Sequence, residues 1–375
     1  MQVSRLLLAL GSAAAVCGAP LATSLQQPWR GADKVDLRPS PHLPLLSFRP
    51  DGTFKLAIVT DTHLLDNQLA PGNESEVNGA TIEEVQRYLE RERPDFAVHN
   101  GDVISGEAAN NTKNVEDAIA QLFSPFVRAR VPFAVSHGNH DNDRYSTHAS
   151  LARLERAVAP QLCYSRPAPP GIGGGRFGDE VGSDNFWIPI HASRKAIRGS
   201  RPALLLWFLD SRSGHTTLER GYQPIDSWVD PAVAIWLNAT ASAMQRAWGT
   251  LPPSVIFTHI PNRYHLVAQS KAPFRAKLGG VTDERPEHFP GPNGDASRPH
   301  AGLNIDDPLD VQDKAASRDQ AYLDAIAFGP LGSSRIHGIH SGHDHAADWV
   351  SSCPCALPCV GSSDAALRSA RHRRS

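Results

Sequence analysis

The stretch that most constrains this chain is Leu56-Ala-Ile-Val-Thr-Asp-Thr-His63. A short apolar run, Leu56 to Val59, breaks off into Asp61 and His63 with one residue between them. The run reads as a buried strand, and on an extended strand end residues two apart point to the same side. The spacing therefore predicts a carboxylate and an imidazole emerging together from the edge of a buried sheet. That is half of a metal site, and the rest of the chain must supply the other half.

The composition permits it. The chain has 375 residues, of which 41% are hydrophobic and 20% charged, enough to bury a sizeable core in one α/β unit. A net charge of −2 argues against a nucleic-acid binder or a protein held on anionic membranes. Seventeen histidines lean towards a metal site, since imidazole is the commonest metal ligand.

Residues 1–19 read as a secretory signal peptide: Arg5 gives the positive start, Leu6 to Val16 the apolar run, and Ala15 to Ala19 a small-residue exit. The apolar run is too short for a stable membrane anchor, so a secreted or secretory-pathway protein is expected. Three sequons, at Asn73, Asn110 and Asn238, fit a glycoprotein. Cys17 would leave with the signal. Cys163, Cys353, Cys355 and Cys359 remain, free or paired in any of three ways. No His or Cys follows the last three at zinc-ligand spacing.

Residues 20–50, rich in Pro and polar side chains, read as an extended leader. A βα rhythm follows. The strand around Lys55–Thr60 leads to a helix over Thr81–Arg91, then a strand Phe96–His99 ending in Asn100-Gly-Asp102. A helix over Val115–Arg130 precedes the strand Pro132–Ser136, which ends in Gly138-Asn-His-Asp141. After a helix over Ser150–Val158, the Gly/Pro-rich segment Pro167–Gly182 reads as a loop. It lacks the Lys-Ser/Thr that would make its glycines a phosphate cradle. Strands Asn185–Ile190 and Ala203–Leu209 have no helix between them, which predicts antiparallel pairing in a second sheet. A helix over Ala232–Trp248 leads to strand Ser254–Phe257 and Thr258-His259. The long aperiodic stretch Asn262–Ser317 follows, then a helix near Asp319–Phe328 and a strand Ile336–His340 ending in Gly342-His-Asp-His345.

Five strands of this series end in metal-competent residues: Asp61 and His63; Asp102; Asn139 and His140; His259; His343 and His345. Ligands of open α/β sheets bind at the carboxyl ends of the strands. Seven of these, His140 set aside, exceed what one ion with open positions takes, so the set suits two ions. Asp102 is the natural bridge because a carboxylate has two oxygens. A hydroxide between the ions would attack phosphorus. His140 stays free to protonate the leaving oxygen or stabilise charge, with Asp141 orienting its ring. Asp210, His99, His137, His337 and His340 read as structural, and His265 and Arg263 as substrate contacts or a solvated loop.

In this order and spacing, Asp61-x-His63, Gly101-Asp102, Gly138-Asn-His140-Asp141, His259 and Gly342-His-Asp-His345 resemble the calcineurin-like metallophosphoesterase superfamily. The surrounding text, down to Trp349, is similar to its fungal secretory branch, which takes in phosphatases related to a yeast dosage-dependent cell-cycle regulator and plant purple-acid-phosphatase-29-like proteins. The resemblance implies a four-layer αββα sandwich over residues 51–350. It implies one ion on Asp61, His63, Asp102 and His345, and another on Asp102, Asn139, His259 and His343. Purple acid phosphatases carry a tyrosine ligand three residues after the bridging aspartate. Here Ser105 stands there, so Mn, Zn or Fe(II) is expected rather than a purple iron site. The substrate would be a phosphate ester, most simply a monoester; a sphingomyelinase- or nucleotide-type phosphodiesterase and a catalytically idle metal-binding protein are the alternatives. Residues 351–375 read as an atypical tail without a strand, leaving the C-terminal sheet incomplete.

Overall fold

The computed structural model describes residues 35–66, 74–169, 172, 181–262, 265, 277–278, 281–282, 320–332, 335–343, 348–351 and 360–363. In chain order the strands are β1 (Leu46–Ser47), β2 (Leu56–Val59), β3 (Phe96–His99), β4 (Phe133–Val135), β5 (Phe186–His191) and β6 (Leu204–Phe208). They continue with β7 (Ser254–Phe257), the small hairpin β8 (Lys277–Leu278) and β9 (Val281–Thr282), then β10 (Ile336–Ser341), β11 (Asp348–Ser351) and β12 (Val360–Ser363). The helices are α1 (Glu74–Glu92), α2 (Thr112–Ala129), α3 (His148–Val158), α4 (Pro231–Trp248) and α5 (Gln320–Phe328).

Strands β2-β3-β4 form a parallel three-stranded sheet; β1-β5-β6-β7-β10-β12-β11 form a mixed seven-stranded one. Side chains alternate across a strand, and that alternation builds the layers. Ala97, Phe133 and Val135 face α1, α2 and α3, while Phe96, Val98 and Ala134 face the other sheet. On β6, Leu205 and Trp207 pack under α4 and α5, while Leu206 and Phe208 meet the first sheet. Three apolar layers thus separate four layers of structure, helix–sheet–sheet–helix. Phe186, Phe208 and Phe257 stack across the central one.

Local chemistry explains the helix ends. Asn111 caps α2 by accepting the Asn114 amide, and Val115, Ile119, Leu122, Phe123 and Phe126 line its buried face. Asp230 caps α4, with Pro231 at its first position. The predicted antiparallel pairing of β5 with β6 is present, Phe186 opposite Phe208 and Ile190 opposite Leu204.

Two expectations are corrected. The described end of the leader belongs to the fold: β1 pairs in parallel with β5, Leu43 and Leu46 enter the inter-sheet core, and the Tyr164 hydroxyl donates to the Pro44 carbonyl at 2.6 Å. The second sheet does not stop at Trp349 either. Strand β12 pairs in parallel with β10, and β11 runs antiparallel to β12. A backbone ladder needs no large side chain, and Val360-Gly-Ser-Ser363 offers no apolar alternation by which to read it.

The signal region, Asn73, Arg263, His345 and Cys353 to Cys359 lie outside the described residues. Cys163 is buried and unpaired among the described residues. Asn110 is exposed just before α2, whereas Asn238 lies within α4 with Thr240 of its sequon buried. No helix among the described residues is long and apolar enough to cross a membrane.

Candidate metal centre

The loops after β2, β3, β4, β7 and β10 converge at one end of the two sheets, as the strand-end pattern requires. Asp61 and His63 come together by a different route from the one their spacing suggested. Both residues take left-handed backbone, φ 54° and 46°, and do not continue the strand. Their amides donate to the carbonyls of Gly101 and Asp102, so the β2 and β3 loops run side by side. Asp102 and His343 are left-handed too, at φ 48° and 71°. Such backbone concentrates where a structure over-determines it, and here four candidate ligands share it.

Glycine makes the crowding possible. Gly101 has φ 99°, and a Cβ there would collide with the His259 ring. A Cβ on Gly138 would strike both Asp102 and His259.

Two groups of side chains could each hold an ion, His63 with Asp102 and His140, and Asp102 with His259 and His343. Asp102 is common to both. Its Oδ1 accepts the His140 amide at 2.9 Å. Its Oδ2 is buried, accepts no hydrogen bond, and lies 3.1 Å from His259 Nε2 and 3.5 Å from His63 Nε2. A buried carboxylate oxygen left this way fits a cation. Burial opposes the charge on Asp102, yet His259, His140 and His63 hold its carboxyl well below the usual range.

The ring orientations also fit. His259 Nδ1 donates to the Asn100 carbonyl at 2.9 Å, which turns Nε2 towards Asp102 and, at 3.2 Å, Asn139 Oδ1. Asn139 Oδ1 lies 2.8 Å from His343 Nδ1. The Asp61 carboxylate accepts the His343 amide at 3.1 Å and the Thr60 hydroxyl, and Asp61 Oδ1 stands 4.0 Å from His63 Nε2. Ser105, at the position where purple acid phosphatases have tyrosine, contacts His63 Nδ1 at 3.1 Å through its hydroxyl. That contact orients the ring of a candidate ligand.

His140 is half-exposed, and its Nδ1 lies 2.9 and 3.0 Å from the Glu107 carboxylate. Glu107, in the single turn Gly106–Ala108, is the ring's orienting partner; no sequence pattern marks it, because no fixed spacing links that turn to the next strand end. Asp141 was expected in this role and does not fill it. Its oxygens accept the amides of Val103 at 2.9 Å, Ile104 at 3.1 Å and Gly138 at 2.8 Å, so it ties the β3 and β4 loops together. Burial lifts its pKa to about 6. Burial works against charging His140, but Asp102 and Glu107 outweigh it and raise its pKa to about 10.

The histidines read as structural are buried or half-buried, but not all are mere packing. His340 stacks on Phe257, and His99 bonds Thr62. His137 sits between Glu155 and Asp184, and His148 between Asp210 and the Gly138 carbonyl, a charged network with no periodic signature. His265 is buried beside Asn262, not on a solvated loop.

Residues 54–241 match the calcineurin-like phosphoesterase family. The chain is 27% identical to probable inactive purple acid phosphatase 28 of Arabidopsis thaliana, over 61% of this chain and 58% of that protein. It is 25% identical to probable inactive purple acid phosphatase 29 of the same plant, over 60% of this chain and 59% of that protein. With phosphatase DCR2 of Saccharomyces cerevisiae the identity is 26%, over 59% of this chain and 37% of that protein. The chain thus spans under two thirds of the length of these relatives. Sheets, the clustered strand-end Asp and His side chains and the sequence match agree that the chain belongs to the calcineurin-like phosphoesterase family, whose chemistry is metal-dependent hydrolysis of phosphoesters.

Proposed function

We propose that this protein is a phosphatase, hydrolysing phosphate monoesters with two metal ions at one centre, in the secretory pathway or outside the cell. The observation that carries the reading is the sharing of Asp102 between two groups of ligands, its Oδ2 buried and without a hydrogen bond. Asp61, His63 and Asp102, with His345 of the same motif, would hold one ion; Asp102, Asn139, His259 and His343 would hold the other. Ions so placed supply Lewis acidity and a nucleophilic water at neutral pH; Mn, Zn or Fe all suit the donor set.

The remaining work falls to the chain. The Asn100 carbonyl of the β3 loop fixes the His259 ring, and the Ser105 hydroxyl the His63 ring, before substrate arrives, so little reorganisation accompanies the reaction. His140, gripped by Glu107 at Nδ1, lies at the solvent-facing side of the centre with its ring 4.9 Å from that of His63. A charged ring there donates to the departing oxygen and offsets the negative charge of the transition state. Glu107 keeps that ring from turning away.

A second reading has the names of the Arabidopsis relatives behind it: a protein that binds the ions and no longer turns over. One assay separates the two. Purified protein loaded with Mn, Zn or Fe is offered an aryl phosphate monoester and diester, beside Asp102→Asn. The proposal expects monoester cleavage that Asp102→Asn abolishes. Activity that survives the substitution refutes the mechanism, and diester preference refutes the substrate class. Residues 1–19 and the exposed Asn110 support the secretory reading, which predicts a glycosidase-sensitive mass on the secreted chain.

A further inference from the structure

Behind the turn that carries Asn139 and His140 lies a second set of charged groups, none of which belongs to the centre: His137, His148, Glu155, Asp184 and Asp210, all buried. His148, Asp184 and Asp210 stand close enough to suggest another ion. The hydrogen bonds argue against one. His148 Nδ1 lies 3.1 Å from the Asp210 carboxylate and Nε2 lies 2.8 Å from the Gly138 carbonyl oxygen. An imidazole facing an acceptor at each nitrogen donates from both and has no lone pair left for a metal. His137 is in the same condition, with Glu155 Oε1 2.8 Å from Nε2 and Asp184 at Nδ1. The two rings stack with centroids 5.2 Å apart. Asp210 is fixed in turn by the amides of Ser183 and Arg212, each at 2.7 Å.

Stability alone is a poor reason to bury so many charges, because apolar groups of the same volume often serve as well. The cluster touches the centre's own turn through one bond in particular, from His148 Nε2 to the Gly138 carbonyl. Gly138 has no side chain by which to be held, so its peptide is placed through its own polar atoms: the amide donates to Asp141 at 2.8 Å, and the carbonyl accepts the Asp141 amide at 3.1 Å within the turn and His148 Nε2 from outside it. The next residue is Asn139, whose Oδ1 meets His259 and His343; the one after is His140, whose amide meets Asp102. A shift of that one carbonyl therefore moves a ligand and the proton donor together.

We propose that His148, anchored by Asp210, is a positioning residue for the metal centre: its Nε2–H fixes the Gly138 carbonyl and thereby places Asn139 Oδ1 and the His140 ring. The inference rests on the reading of the centre as a two-ion phosphoesterase site, and His148 itself touches neither ion nor substrate.

Two substitutions divide the ring's two bonds. In His148→Gln the amide nitrogen reaches the place of Nε2 and keeps the Gly138 bond; in His148→Asn it reaches the place of Nδ1 and keeps only Asp210. The full chain and both variants are titrated with Mn²⁺ by calorimetry, assayed for kcat and KM on p-nitrophenyl phosphate, and melted. Both variants lose a charge pair and fall in Tm together. His148→Asn is expected to bind one of two Mn²⁺ ions about 10–100-fold more weakly, the usual cost of losing a group that orients a ligand. Its kcat falls with KM little changed, while His148→Gln stays close to the parent in both Mn²⁺ affinity and kcat. Equal Mn²⁺ affinities in the two variants, or failure of both to fold, overturn the proposal and leave His148 a structural residue. A parent that binds two Mn²⁺ ions and cleaves nothing overturns the phosphatase reading instead, and the split in Mn²⁺ affinity still decides the role of His148.

Discussion

His99 should make this fold sensitive to acid, and the size of the effect follows from its surroundings. The ring is wholly buried at the end of β3, edge-on to Phe123. Thr62 Oγ1 spends its one proton on the Val103 carbonyl at 3.0 Å, so at 3.0 Å from His99 Nε2 it can only accept. Nε2 therefore carries the proton and Nδ1, buried without a partner, stays bare. Protonating Nδ1 would bury a charge with nothing to receive it, and burial pushes the pKa down to about 3. In the unfolded chain the same ring titrates near 6.5. The folded form thus binds fewer protons than the unfolded form between those values, so this part of the stability is whole above pH 6.5. It is lost as the pH falls towards 3. At pH 5 the loss is about 2 kcal/mol, from roughly one and a half pH units at about 1.4 kcal/mol each. Because pH 5 is far above the folded value, that figure depends almost wholly on the unfolded one. Urea unfolding at pH 7.5 and pH 5, with chelator present throughout, measures it. His99→Gln keeps the donor to Thr62 and cannot titrate, so its stability should fall by about 2 kcal/mol less than the parent's over that interval. An equal fall in both proteins would refute the argument.

Two further outcomes follow from the centre. Glu107→Gln removes the carboxylate that grips His140, and kcat on an aryl phosphate should drop about 10–100-fold with KM within about twofold; steady-state kinetics check it, and an unchanged kcat would release Glu107 from its role. Ser105→Ala takes the hydroxyl from His63 Nδ1, and Mn²⁺ affinity should weaken about 10-fold by calorimetry while Tm in chelator barely moves.

What could be read in advance was what repeats or alternates. The apolar runs Phe96–Val98 and Val255–Phe257 mark their strands, and Ile119, Leu122 and Phe126 at helical spacing mark α2. The clustering of the strand-end candidates is legible because a fixed order of strands brings them to one edge. The contacts that support them are not. Glu107 and Ser105 lie in irregular turns, and His148 meets Asp210 across 62 positions, so their partners are set by packing and not by spacing. Asp61 and His63 do not meet through the period-two alternation of a strand, since both leave the strand for left-handed backbone. The tail strand β12, Val-Gly-Ser-Ser, has no strand signature of its own, and its place between β10 and β11 makes it a strand.

The most direct test counts ions. Protein purified from chelator, reloaded with Mn²⁺ and passed over a desalting column should retain two ions per chain by metal analysis. Asp102→Asn, which removes the carboxylate common to both groups of ligands, should retain fewer than one while keeping the far-ultraviolet circular dichroism of the parent. A parent that holds a single ion, or an Asp102→Asn protein that still holds two, would contradict a centre built around a shared Asp102.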